Sequence, residues 1–127
     1  MKLYLRFVDE GRRRPSIQAR LQAAGVDLKQ GRNEAAHQKL TNILQYNPNN
    51  IRALIEQAAM YYGQERFSEA LTCFKQALVV NSGEVDAWVG LAMIAQHFGD
   101  QQMFMKAYQT ARNLAPSNPE VKKFETG

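Results

Sequence analysis

Apolar residues in this chain recur three and four positions apart, as at Ala70, Phe74, Ala77 and Leu78. That spacing puts one apolar face on an α-helix. Short segments that resist helix interrupt the pattern. Asn47-Pro48-Asn49-Asn50 is the clearest, because proline has no N–H to donate and turns the preceding residue away from helical geometry. Ile51 through Gln57 then reads as a fresh helix start. Asn81-Ser82-Gly83-Glu84 and Ala115-Pro116-Ser117-Asn118 repeat the break, each 34 residues after the one before. Between these breaks stand Gly31, Glu65 and Gly99, a position where glycine permits a left-handed helix end.

The chain therefore divides, without insertion or deletion, into units 17–50, 51–84 and 85–118. Each is predicted to hold two helices. Small residues such as Ala70 and Ala77 let the pair approach while Phe74 and Leu78 fill the groove between them. A single pair cannot bury its apolar face alone, so neighbouring pairs must stack. The pattern predicts an all-α solenoid with an N-terminal arm at 1–16 and a short capping helix at 119–127. Pro119 suits the first turn of that last helix.

The third unit carries Trp88, Leu91, Ala92, Gly99, Tyr108, Ala111 and Pro116 in the columns expected of the tetratricopeptide repeat family, which it resembles. The second matches at Ala58, Tyr61, Ala70, Phe74 and Ala77, and the first at Ala24, Gly31, Ala36, Leu40 and Pro48. The resemblance covers about 102 of the 127 residues. It implies a right-handed superhelical solenoid of three antiparallel helix pairs. Phe104 stands where a small residue is usual, Ser82 replaces the terminal proline, and Glu65 replaces the glycine. These departures bear on local packing and leave the fold class untouched.

Two first-helix columns face the core or the preceding unit. They hold Leu54 and Tyr61 in the second unit, Trp88 and Ala95 in the third, but Arg20 and Asp27 in the first. Burying an unpaired charge is costly, so Arg20 and Asp27 are expected to be open to water, as in a capping repeat with none missing upstream. At the other end, the column of Leu44 and Leu78 becomes Arg112, and Val121 and Phe124 are expected to lie over Met105 and Tyr108. So thin a cover leaves self-association there, or continuation in a longer chain, as open alternatives.

By the resemblance, the first helix of each pair lines a concave surface that binds partner segments. The residues expected there are Gln18, Leu21, Gly25 and Leu28 in the first unit, and Arg52, Ile55, Glu56, Ala59 and Tyr62 in the second. Val89, Met93 and Gln96 follow in the third. Leu21, Ile55 and Val89 would form an apolar ladder, joined by Leu28, Tyr62 and Met93. Gly25, Ala59, Gly63 and Gly90 would leave room for a ligand backbone. Tyr62 is the expected anchor. The competing reading is that some of these residues pack within the solenoid or lie under a terminal segment. One family mode clamps a terminal carboxylate with Lys, Asn and Arg. The matching positions here are Leu21, Gly25, Glu56, Asp86 and Gly90, which supply no cation and two acids, so that mode is not expected.

Composition adds less. An apolar content of 45% with 22% charged residues is ordinary. No apolar run approaches the ~20 residues of a membrane helix, so no membrane insertion is expected. The single cysteine, Cys73, suits a reducing compartment, and the cytoplasm is the expected location. A processed exported protein and a piece of a longer chain stay open, and with the latter a role as the regulatory domain of a longer protein. The net charge of +4 is unevenly placed: residues 1–50 carry nine Lys/Arg and four Asp/Glu (+5), residues 51–127 seven and eight (−1). Arg12-Arg13-Arg14 with Arg20 is a candidate nucleic-acid or ribosome contact, the weaker reading, since basic arms are commonly just solvated. Met1–Val8 alternates apolar and polar residues and could fill the groove of its own or a neighbouring molecule. His37 and His97 have no second ligand at metal spacing, and no nucleophile–base pair or phosphate loop is present. The expectation is a non-enzymatic module without cofactor or metal, binding a partner protein or peptide.

Overall fold

The computed structural model describes residues 16–126. The readings made for the arm, at Met1–Val8 and Arg12–Arg14, lie outside the described residues. Among the described residues there are seven helices and no strand: α1 (Ile17–Lys29), α2 (Asn33–Tyr46), α3 (Ile51–Gly63), α4 (Phe67–Val80), α5 (Val85–Phe98), α6 (Gln101–Leu114) and α7 (Pro119–Thr126). The first helices begin at Ile17, Ile51 and Val85, and α7 begins in the same register at Pro119. The fold class is an all-α helical-repeat solenoid. No described helix is long and apolar enough to cross a membrane.

Local chemistry sets the helix ends. Asn50 Oδ1 accepts from the Ala53 N–H at 2.9 Å, and Ser16 Oγ accepts from Ala19 at 3.1 Å. Asp100 and Asn118 start α6 and α7 in the same way. Each such cap satisfies a donor that the helix leaves orphaned. Asn47 closes α2 with its N–H on the Ile43 carbonyl, so the Asn47–Asn50 break ends one helix and begins the next. Within each pair the turn is the same. Gly31, Glu65 and Gly99 adopt left-handed φ values of 77°, 61° and 74°. The following N–H then reaches back five residues, from Arg32 to Asp27, Arg66 to Tyr61 and Asp100 to Ala95, at 2.7–2.9 Å. This is the bonding of a Schellman helix end, built at Glu65 without glycine.

The chain divides between Pro48 and Asn49 into two units. In the smaller, α1 and α2 bury Ala24, Ala36, Leu40 and Ile43. Asp27, expected in water, is only 2% exposed. That expectation is corrected because the charge is paired. Arg32 Nη2 approaches Asp27 Oδ1 at 2.8 Å and Lys39 Nζ donates to Oδ2, and paired charges can be buried. Arg20 is partly exposed, with Nη1 3.4 Å from Asn42 Oδ1.

In the larger unit, alanines at 53, 58, 70, 77, 87, 92 and 95 are fully buried, which lets helix backbones approach closely. Gly90 belongs to this packing. A Cβ there would meet the Phe74 ring at 2.3 Å, so the space expected for a ligand backbone holds a side chain instead. Val89 is also buried, at 6% exposure, sharing a cluster with Ala111 and Val121. Phe124 lies edge-on to Phe104 and Tyr108, at 5.6 and 6.1 Å. Glu125 accepts from Tyr108 Oη at 3.1 Å and pairs with Arg112 at 3.7 Å. The last helix thus covers Tyr108 as expected but leaves Met105 45% exposed.

Candidate partner-binding face

On α1, Leu21, Gly25 and Leu28 are half-buried and share one helical face, with Gln18 exposed above them. Nothing lies within 4 Å of where a Gly25 Cβ would be. In the larger unit, Ile55, Ala59 and Tyr62 occupy the same face of α3. Ala59 is exposed and the other two are half-buried. On α5 the face begins with buried Val89 and continues through half-buried Met93 to exposed Gln96. Met93 packs against the Val89 cluster. The apolar ladder therefore loses its third rung to the core, because α7 in the register of a further first helix covers it. What stays accessible in this unit is Ile55, Ala59 and Tyr62 with Met93 and Gln96.

In the larger unit this face carries one cation and two acids. Arg52 Nε lies 3.3 Å from Glu56 Oε1, one turn further along α3, and Asp86 is exposed at the start of α5. The single cation is thus already engaged by a carboxylate, and a second carboxylate stands near the top of the neighbouring first helix.

Tyr62 is fixed by rings that pattern reading passed over. Phe67, which opens α4, meets Tyr62 edge-on at 5.3 Å and Phe98 at 6.0 Å. His97 tilts against Phe67, with ring centroids 3.8 Å apart. Such contacts hold an aromatic side chain in one orientation, and Phe98 remains 53% exposed. The signal was present in the sequence. The column that holds Asn33 and Gln101 at the start of the other second helices holds Phe67 here.

Cys73 donates weakly to Gln57 Oε1 at 3.8 Å. Burial, then the nearby Glu69 carboxylate, pushes its thiol up to about 11, so it is protonated at neutral pH and a poor nucleophile.

An antiparallel helix-pair repeat with an open first-helix face defines a class of protein-interaction folds. Family models described as tetratricopeptide repeat match residues 27–78 and 56–119, and the chain belongs to the tetratricopeptide repeat (TPR) family. It is 30% identical over 95 residues to the Protein CTR9 homolog of Arabidopsis thaliana, covering 74% of this chain. The chain spans about 9% of that relative's length. Among solved structures it is similar to the first TPR of Spaghetti (RPAP3) bound to the HSP90 peptide SRMEEVD. That match has a TM-score of 0.78 and 19% identity, and covers 84% of this chain and 85% of that one. It is also similar to YrrB, a TPR protein with an unusual peptide-binding site, with a TM-score of 0.77 and 14% identity. There the match covers 91% of this chain and 59% of the other.

Proposed function

We propose that this chain is an adaptor, scaffold or assembly-chaperone module that binds an apolar segment of a partner protein on its first-helix faces. The observation that carries the reading is the accessible strip of Ile55, Ala59, Tyr62 and Met93 in the larger unit. The matching face of α1, with Leu21, Gly25 and Leu28, has the same character. Apolar side chains left half-open on a rigid helix, beside a fixed aromatic ring, suit a partner's i, i+4 or alternating apolar residues. In the larger unit Arg52, Glu56 and Gln96 set register by hydrogen bonding, and on the face of α1 Gln18 offers the same kind of contact.

The solved TPR of Spaghetti is bound to the HSP90 peptide SRMEEVD, which has acids at three of its last four positions, but the charges here oppose such a ligand. Glu56 and Asp86 would face its carboxylates, and Arg52 is engaged by Glu56. The reading is a partner without a terminal carboxylate clamp.

The test replaces Ala59 with a photo-crosslinking amino acid in cells and compares it with the same group at Glu34 on α2. Covalent partner adducts are expected from position 59 alone and should disappear when Ile55→Glu is added. Equal adducts from both positions, or adducts that survive Ile55→Glu, would move the site elsewhere.

A further inference from the structure

The second helices of the larger unit leave a groove that the first-helix reading does not use. Between α4 and α6, over α5, lies a cavity of about 690 Å³, a size that takes one or two bulky side chains of a ligand. Its walls include Leu78, Val79, Trp88, Leu91 and Met103. Val79 is 79% exposed, an unusual position for an aliphatic side chain in a buried-faced helix. Trp88 is half-buried, and its indole Nε1 donates to the Ser82 carbonyl at 2.8 Å. That bond satisfies the ring's only polar atom and fixes the ring, so what it offers the groove is apolar surface.

The margins carry the second observation. Lys75 and Lys106, one on each second helix, line the groove and are exposed. Neither has an ion-pair partner among the described residues. Asp100 also lies at the edge, but its carboxylate caps α6 through the Met103 N–H at 3.0 Å. An apolar floor between two unpaired ammonium groups complements a bulky apolar side chain flanked by carboxylates. The chain itself is a poor occupant. Residues 1–15 carry five Lys/Arg and two Asp/Glu, so its own arm brings like charge.

We propose that this groove is a second docking surface, for a short acidic segment of a partner protein. The segment inserts one large apolar side chain between Val79 and Trp88 and sets carboxylates against Lys75 and Lys106. The surface is separate from the first-helix face, so one module can hold two segments at once.

Trp88 is the only tryptophan in the chain and reports directly. The probe is the capped synthetic peptide Glu-Glu-Leu-Phe-Glu-Glu, with Lys-Lys-Leu-Phe-Lys-Lys as its charge-reversed counterpart. The acidic peptide is expected to shift Trp88 emission saturably and to weaken with added salt, while the basic one leaves it unchanged. Lys75→Glu with Lys106→Glu, both exposed and checked for retained helicity by circular dichroism, should weaken the acidic peptide about tenfold or more. Ile55→Glu should leave it unaffected. No saturable shift, equal shifts by both peptides, or unchanged binding by the double lysine variant would overturn the proposal. So would a shift that depends on protein concentration without peptide, which would mark a self-association surface.

Discussion

The slot between first and second helix is filled in opposite ways in the two units. In the smaller it holds Asp27, with Arg32 and Lys39 on its carboxylate. In the larger, the positions 34 residues on are Tyr61, Arg66 and Cys73. There the Arg66 guanidinium lies 4.8 Å from the Tyr61 ring centroid, and Cys73 is a small, half-buried neighbour. Arginine keeps its place in both, once on a carboxylate and once on a ring face. In these two pairs the slot is closed once by paired charge and once by a ring and a cation, whereas in the last pair the same positions are the small Ala95 and Ala107, with Asp100 in place of the arginine.

The ring-packed side should be the more easily broken by added volume. Gly90→Val would drive a branched side chain into the buried Phe74 ring, which is only 5% exposed and has nowhere to retreat. Overpacking of this kind costs about 3 kcal/mol. It should appear as a lower denaturation midpoint with an unchanged slope. Retained wild-type stability would mean that Phe74 has a second rotamer available.

The ion-paired side should break by subtraction. Lys39→Met keeps the stem but leaves the buried Asp27 carboxylate with Arg32 alone, and the melting temperature at neutral pH should fall by roughly 5–10 °C. The hydrogen bond from Lys39, then that from Arg32, holds Asp27 below its ordinary value of 3.8. A depressed carboxylate stabilises the folded state above pH 3.8, and that contribution is lost as the pH falls through the lower folded value. The gap between wild type and variant should therefore close in acid. A gap that stays constant from neutral pH to below that value would mean the pair adds nothing to stability.

The repeat, the helix ends and the turn positions were legible in the sequence because each rests on local chemistry. Pro48, Gly31 and Gly99 act within a few residues of themselves, and the 34-residue register carries them forward. Asp27 was misjudged because its compensation is not local. Lys39 lies twelve residues on, in a column that elsewhere holds only Cys73 and Ala107, and a charge in that column was the available clue. Val89 failed for a related reason: its burial depends on Val121 arriving from a helix outside the three units. On the candidate face, Ile55, Ala59 and Tyr62 follow from helical spacing alone. The rings that fix Tyr62 come from α4 and α5 and needed the tertiary arrangement.

The turns give the finest version of the comparison, since one geometry is made with glycine at 31 and 99 and with glutamate at 65. A side chain with a Cβ in the left-handed region costs about 1–2 kcal/mol, while glycine loses more chain entropy on folding. The difference predicts that Glu65→Gly stabilises the larger unit by about 0.5–1 kcal/mol, read from urea midpoints. A larger gain would mean that the carboxylate is itself unfavourable in the turn. No gain would mean that the rest of the turn, including the Arg66 N–H on the Tyr61 carbonyl at 2.8 Å, already offsets the strain. In that case the guanidinium over the Tyr61 ring would be part of what makes glycine dispensable in the second pair.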